Sequence, residues 1–358
     1  MEVEKTRGVN IVIGSVTFGI HVAPIVTHFS HCSPDIKLYV FSSHALVRFV
    51  TNQTMDRVPR LFMERVALCL DFDSVQEGRM VSFPWGNAFI SAKYNIHTLC
   101  IYVGDENTKK LYAVAQPTWS DCDIKAVPFD SVHQKFITHF KIEPIMPWSN
   151  RLRTWREISL VQMQRLVRSI GSSLSLGPSE QRHPLRYNEK SSNCLRLHRS
   201  NQWITQELLS LRVPIVSVYI ESDIDPHVAE DFFRNTGPLY HAIHQRNLPS
   251  STLDALINNF VPVDGGRLNL MSLLSKEQLE RLVMKCEMSG RMVSLQVSAE
   301  KGSIHSYVTD FFDFDKFYSL KQVRQRSLVA FREGADVEVY VSMYGYSRLE
   351  WHWQSARL

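Results

Sequence analysis

Short apolar runs alternate with amphipathic segments through the second half of the chain. Four of the runs have the length and composition of β-strands: residues 215–220, 239–243, 267–271 and 293–297. Four segments with the apolar spacing of a helix follow them in turn: residues 226–235, 252–260, 276–288 and 313–325. Strands that alternate with helices predict an α/β fold in which helices cover a parallel sheet.

The spacing of these units is that of a repeat. The first residues of the four runs are 24, 28 and 26 positions apart, and strand–helix units of this length are typical of leucine-rich-repeat solenoids. An ordinary α/β layer with units of similar length explains the same spacing. Under both interpretations, alternate strand residues point away from the helices and form a candidate recognition face: Ser217, Tyr219, His241, Asn269, Ser294 and Gln296.

Local signals define several element boundaries in this half. Asp225 followed by Pro226 indicates the start of a helix, because proline suits the first helical turn. Ser275 and Gln278 have the spacing of a capping box. Residues 337–343 and 348–353 predict a closing hairpin that covers an open edge of the sheet.

The first half predicts a smaller α+β region. Apolar residues recur at helical spacing over residues 56–70, and residues 97–103 and 111–114 flank turn-forming residues as in a β-hairpin. A second amphipathic helix is predicted over residues 155–170. Residues 171–193 are rich in serine, glycine, proline and charge, which predicts a linker or mobile loop.

These elements divide the chain into four predicted segments. They are an N-terminal extension, a helix-plus-hairpin region, a basic helix with its linker, and a strand–helix domain with a capping hairpin: residues 1–54, 55–145, 146–200 and 201–358. Residues 9–26 are apolar but are interrupted by Asn10, His21 and two glycines. Their alternation from Val16 predicts a strand, and we expect no membrane partner.

Composition is that of a globular protein with a sizeable core. Of 358 residues, 44% are hydrophobic and 21% are charged, with a net charge of +4, which argues against disorder and against a strongly polyanionic partner. The 6 cysteines are scattered without a C-x-x-C pair. Such spacing predicts reduced, mostly buried thiols and therefore a cytoplasmic or nuclear protein.

One basic stretch departs from this balance. The stretch from Arg151 to Arg199 contains ten lysines and arginines but only three acidic residues. Trp155 and Tyr187 lie among them, an arrangement typical of single-strand nucleic-acid binders. The competing interpretation is a solvated helix face with a polar loop. The stretch therefore provides an RNA-binding alternative, with a candidate polyanion patch: Arg165, Arg168, Arg196 and Arg199.

Motifs for catalysis or metal binding are few. The sequence has no P-loop, no nucleophile elbow and no H-E-x-x-H helix. The cluster of His28, His31 and Cys32 lacks a fourth ligand, and His241 and His244, three residues apart on a strand, face opposite ways. We therefore expect no catalytic, cofactor or metal site.

An acidic run after the first strand of the second half is the exception to this expectation. Glu221, Asp223 and Asp225 follow a predicted strand, where α/β enzymes often keep catalytic carboxylates. The run provides a hydrolase or nuclease alternative. A solvated loop that leads to a helix N-terminus explains the same residues.

The run MDRVPRLFMERVALCL at residues 55–70 resembles the opening of a large nematode-specific family of F-box-like proteins. In that family a tryptophan-containing stretch, a hairpin and irregular leucine-rich-like units follow, as around Trp85 and at 97–114 here. The closing residues FFDFDKFYSLKQV and ADVEVYVSMYGYSRLEWHW are also similar to the end of that family. The resemblance covers residues 55–353 and leaves 1–54 outside it, so Met55 is a second candidate initiator.

The resemblance implies a non-enzymatic interaction adaptor. In F-box proteins the N-terminal helices dock on a Skp-family subunit of a cullin ubiquitin ligase, and the C-terminal repeats hold a substrate. An F-box has three helices, whereas the sequence predicts one clear helix before the hairpin. The positions that match the docking helix are Val58, Pro59, Phe62, Val66 and Leu70.

Overall fold

The structure is a computed structural model of the chain. It describes residues 11–13, 16–17, 36–38, 58–81, 83–120, 125–145, 154–174, 183–300, 305–324 and 326–356. Three short strands lie before residue 58: β1 (Ile11–Ile13), β2 (Val16–Thr17) and β3 (Ile36–Leu38). β1 pairs antiparallel with both of the others. Of the strand predicted from Val16 onward, the structure describes only Val16–Thr17, which is β2. His28, His31 and Cys32 lie outside the described residues.

A helical unit follows, and it has two more helices than the sequence predicts. The unit contains α1 (Arg60–Leu68), α2 (Phe72–Gly78) and α3 (Trp85–Asn95). Trp85 and Phe89 of α3 are buried in its core. α2 ends at Gly78, where a Cβ would lie 2.7 Å from the Phe89 ring. The tight contact between α2 and α3 therefore requires glycine at this position.

Thirteen of the described strands form one sheet, in the order β13-β14-β15-β16-β12-β11-β10-β9-β8-β6-β4-β5-β7. The strands of its first half are β4 (His97–Val103), β5 (Leu111–Pro117), β6 (Ile137–Pro144), β7 (Arg156–Ile158) and β8 (Cys194–Leu197). Those of the central part are β9 (Ser217–Ile220), β10 (His241–His244), β11 (Arg267–Leu274) and β12 (Ser294–Ala299). The last four are β13 (Leu320–Arg324), β14 (Ser327–Phe331), β15 (Val337–Tyr344) and β16 (Arg348–Ser355).

The centre of this sheet is parallel and its strands lie in chain order. From β6 through β8, β9, β10 and β11 to β12, each strand pairs parallel with the next. Helices connect consecutive strands: α5 (Ile204–Ser210), α6 (Pro226–Asn235), α7 (Ser250–Asn259) and α8 (Lys276–Ser289). Because crossovers of one hand that step in one direction put their helices on the same side, these helices form one layer.

The helix layer buries the inward face of the sheet. Val218, Leu268 and Leu295 point into it and are at most 1% exposed. α4 (Leu160–Leu174) packs beside this layer through Met163 and Val167. We name the opposite side, which none of α4–α8 covers, the helix-free face. The predicted α/β class is therefore confirmed.

Capping signals that the sequence predicts are present at the helix ends. The Asp225 carboxylate accepts a hydrogen bond from the backbone N–H of His227, and Pro226 begins α6. Ser275 and Gln278 form a reciprocal capping box at the start of α8, and Gly290 ends that helix with φ +60°. A left-handed backbone at this position favours glycine.

The helix predicted over residues 313–325 is wrong beyond its first turn. The structure has α9 (Phe314–Phe317) followed by β13, all of whose residues are exposed. Leu320 and Val323 imitate a helical spacing, but backbone pairing with β14 decides the conformation. The predicted closing hairpin is β15–β16, and it pairs with β12 through β16.

One sheet runs through the predicted segments on both sides of the boundaries at residues 145 and 200. The predicted hairpin is β4–β5, and β4 pairs parallel with β6 in the same sheet as the C-terminal units. Residues 183–193, part of the predicted linker, lie against the sheet. No helix in the described part of the chain is both long and apolar enough to cross a membrane.

Candidate functional site

Two rows of side chains cross the helix-free face perpendicular to the strands. The first, row A, follows the paired residues near the amino ends of the parallel strands: Lys141, Cys194, Ser217, His241, Arg267, Ser294, His352 and Tyr340. The second, row B, lies two residues further along: Arg196, Tyr219, Ile243, Asn269, Gln296, Glu350 and Ser342. Row B crosses seven strands at about 4.8 Å each, so the face is roughly 29 Å wide.

The structure places the six candidate recognition residues together on this face. Ser217, His241 and Ser294 belong to row A, and Tyr219, Asn269 and Gln296 belong to row B. The alternation of strand side chains was sufficient to predict their common side. Ser217, however, is only 3% exposed.

A peptide segment accounts for the burial of Ser217. We name residues 183–193 the strap. The Tyr187 hydroxyl donates to Ser217 Oγ at 3.1 Å and lies 3.0 Å from Nδ1 of His241. The strap backbone also pairs with the residues before β11, since Tyr187 N donates to Asp264 O at 2.8 Å. Row A is therefore partly covered at β9 and β10, whereas Tyr219 and Asn269 of row B remain half-exposed.

The strap also attaches the helical unit to the sheet. Ser191 Oγ accepts a hydrogen bond from Phe72 N at 2.8 Å, and Asn188 Nδ2 donates to Asp73 Oδ2 at 2.9 Å. Arg186 adds an ion pair with Asp73 at 3.4 Å. Both α2 residues belong to its first turn, so the start of this helix is fixed relative to the helix-free face.

Most of the positions that match the F-box docking helix are buried or half-buried in the helical unit. Val58 is 6% exposed, and three others pack against the core of the unit while half-buried: Phe62, Val66 and Leu70. Pro59 is exposed before α1. The outward apolar residue of α1 is instead Leu61, which is 58% exposed.

The four arginines of the candidate polyanion patch do not share a surface. Arg165 and Arg168 are exposed on α4, on the helix-layer side of the sheet. Arg196 is on the opposite side, where its guanidinium lies 4.7 Å from the Tyr219 ring centroid and its Nε 3.1 Å from Glu221 Oε1. The sheet separates the two α4 arginines from Arg196, because α4 packs on the helix-layer side of the sheet. The Arg196 side chain of β8 instead points to the helix-free face.

The acidic residues after β9 have two different structural roles. Glu221 and Asp223 lie near His198, with carboxylate and imidazole ligand atoms within 4.8 Å of one another. Asp225 is not part of this group and caps α6. His198 is a member that sequence reasoning missed, since it follows β8 rather than β9.

The polar atoms of His198, Glu221 and Asp223 already have partners within the protein. Nδ1 of His198 accepts from the backbone N–H of Ser200 at 3.1 Å, which places the ring proton on Nε2. Nε2 lies 3.1 Å from Asp223 Oδ2 and so donates to it. Glu221 is paired with Arg196. The imidazole therefore has no lone pair directed at a metal between these residues.

The two histidines of β10 face opposite ways, as their spacing predicts. His241 is half-buried in row A, whereas His244 is 3% exposed and packs edge-on to Phe233 on the helix side. Burial disfavours the imidazolium and lowers the pKa of His244 from 6.5 to about 4. His244 is thus a neutral core residue at physiological pH.

We expect His244 to make the protein less stable in mild acid. Between pH 6.5 and 4 the unfolded chain binds a proton that the folded chain excludes, so stability falls as pH falls through this window. From about pH 7.5 to about pH 5 the loss from this group is about 2 kcal/mol. His244→Asn removes the titration, and urea unfolding at both pH values should show a correspondingly smaller loss.

The matched control is His227→Asn on α6, where the imidazole is 90% exposed. This variant should keep the pH dependence of the unmodified chain. A pH dependence in His244→Asn as steep as that of the control would contradict the assignment.

A scan of the sequence against protein-family models gives no match, and neither does a search of the curated proteins.

Proposed function

We propose that this chain is a non-enzymatic protein-interaction adaptor whose helix-free face holds a macromolecular partner. The observation that carries this proposal is row B, which runs across seven strands. None of α4–α8 covers its half-exposed polar and aromatic residues, which are Arg196, Tyr219, Asn269, Gln296 and Glu350. A surface of this width is the size of a protein–protein contact rather than a small-molecule pocket.

The order of the parallel strands supports the leucine-rich-repeat-like interpretation. β8 to β12 follow one another in chain order with one helix between each pair. Most doubly wound α/β sheets instead reverse their strand order and bind ligands at that reversal. Chain order without a reversal favours a surface site over a crevice.

The three short helices of the helical unit support the relation to F-box proteins. In this proposal the unit docks on a Skp-family subunit of a cullin ubiquitin ligase, and the helix-free face selects the substrate. Leu61, Met80 and Phe83 provide exposed apolar contact positions, at 58%, 88% and 76% exposure. In this proposal these three side chains contact the Skp-family subunit.

Site-specific photo-crosslinking tests the proposal. The full chain with benzoylphenylalanine at Gln296, a residue of row B, is used as bait in a nematode extract. We expect discrete protein adducts at Gln296. The matched position Val161 on α4 is 63% exposed and should give none of the same adducts. Equal adducts at both positions, or none at Gln296, would overturn the proposal.

The same bait tests the helical unit. We expect a Skp-family protein to co-purify with the unmodified chain and to be lost in Leu61→Asp. Val161→Asp places the same charge on another exposed apolar position and should retain it. Retention by both variants would remove the F-box relation and leave the helix-free face as the proposed binding surface.

A further inference from the structure

The carboxyl half of β11 departs from the regular register of the helix-free face. Asn269 pairs with Gln296 and Leu273 with Ser298, so these pairs are four residues apart on β11 and two on β12. Regular alternation along β11 keeps Met271 and Leu273 outward, at 42% and 50% exposure, and the bulge shifts them relative to the residues of β12. Bulges occur preferentially at sheet edges and near functional sites.

Ser272 holds this bulge in place. Its hydroxyl donates to Arg246 O at 2.8 Å and accepts from Leu248 N at 2.9 Å. Ser272 is 1% exposed, so the loop after β10 fixes the bulged backbone from the inner side. Met271 and Leu273 are therefore presented by a fixed backbone, and their exposure does not result from a free loop.

Arg348 lies beside the bulge without an acidic partner among the described residues. It is half-buried at the start of β16. Its NH1 group contacts the Met271 sulfur at 3.1 Å, and its NH2 group lies 3.5 Å from Asn269 Oδ1. Its buried Nε has no hydrogen-bond acceptor. A thioether and a distant amide are weak partners for a permanent charge.

An exposed aromatic ring completes the group. Tyr344 of β15 pairs with Arg348 across the strands and is 55% exposed. Arginine and tyrosine are enriched among the residues that contribute most to binding at protein interfaces, and methionine is enriched in interface composition. We name Asn269, Met271, Leu273, Tyr344 and Arg348 the Arg348 site.

We propose that the Arg348 site binds a short acidic and apolar segment of a partner protein. A side-chain carboxylate pairs with the Arg348 guanidinium, and a neighbouring aliphatic or aromatic side chain packs on Met271 and Leu273. A single unpaired arginine matches the one negative charge of a carboxylate, whereas phosphorylated residues are usually bound by arginine clusters. This inference rests on the proposed function and defines the chemistry of the partner.

Selection from a phage library of short random peptides tests the inference on the full chain. We expect the selected peptides to combine aspartate or glutamate with a leucine, methionine or phenylalanine close by. Replacing their acidic residues by the corresponding amides should weaken binding at least about tenfold, and Arg348→Met should do the same. Arg234→Met, on the outer side of α6, should leave the affinity unchanged.

Met271→Glu provides a second variant, at a position that is 42% exposed. Its carboxylate would pair with Arg348 within the chain, so it should also reduce binding of the selected peptides at least about tenfold. Peptides without acidic residues, or binding that survives both Arg348→Met and Met271→Glu, would overturn the inference. Selection of no peptide would overturn it too. Adducts at Gln296 would in either case leave the proposed function standing, which separates the two failures.

Discussion

Trp351→Ala should lower the free energy of unfolding by about 3–5 kcal/mol. Trp351 is fully buried on the inner side of β16. Its ring stacks on Phe314 at 5.5 Å and meets Phe312 edge-on at 5.3 Å. Alanine removes most of this buried surface and leaves a cavity between the last strands and the segment that contains α9. Denaturant unfolding followed by circular dichroism measures the loss.

Two further variants make this expectation specific. Trp351→Phe should cost clearly less, because Nε1 of Trp351 has no hydrogen-bond partner in the described structure, so only packing is lost. Tyr346→Ala, at a residue that is 60% exposed, should change stability by less than about 0.5 kcal/mol. A Trp351→Ala loss as small as that of Tyr346→Ala would contradict the packing described.

Glu287→Ala should destabilise the chain by about 3 kcal/mol. Glu287 of α8 is 1% exposed, and its Oε2 accepts from the Tyr318 hydroxyl and from Trp353 Nε1, each at 2.8 Å. Its Oε1 lies 3.2 Å from Nε of Arg332. Alanine would leave the Tyr318 and Trp353 donors without their acceptor and Arg332 without its ion-pair partner. The cost of leaving buried donors unpaired exceeds the net contribution of the bonds themselves.

Glu287→Gln separates the hydrogen bonds from the charge. The amide oxygen can still accept from Tyr318 and Trp353, but the ion pair with Arg332 is lost, so about half of the destabilisation should remain. Glu280→Ala on the same helix removes an exposed ion pair with Lys316 and should cost at most about 1 kcal/mol. Equal urea midpoints for Glu287→Ala and Glu280→Ala would show that the buried network is not formed.

The sequence predicts the C-terminal units well because local signals agree there with the fold. The predicted helix 226–235 has the bounds of α6, and the capping box of Ser275 and Gln278 begins α8 as expected. The spacing of Trp85 and Phe89 is helical, but Gly86 lowers helix propensity, so local signals do not distinguish a compact turn from α3. Its contacts with α2, rather than local preference, stabilise it.

The candidate site likewise contains residues that local patterns predict and residues that only non-local contacts bring together. Alternation within single strands is a local property, so it predicts the common face of residues such as Tyr219 and Gln296. The Arg348 site depends on the pairing of Met271 with a residue 77 positions away and on a register change in β11. Neither can be derived from spacing along the chain, and the burial of Ser217 by Tyr187 is equally non-local.

The attachment of Asp73 to residues 186 and 188 has a consequence for how two partners would meet. A protein bound to the helix-free face and a protein bound to the helical unit would be held at a fixed separation and angle. Their encounter would then follow from geometry rather than from chance diffusion. Loss of the contacts between Asp73 and residues 186 and 188 would slow any reaction between the two bound proteins. The affinity of the chain for each of them would stay unchanged.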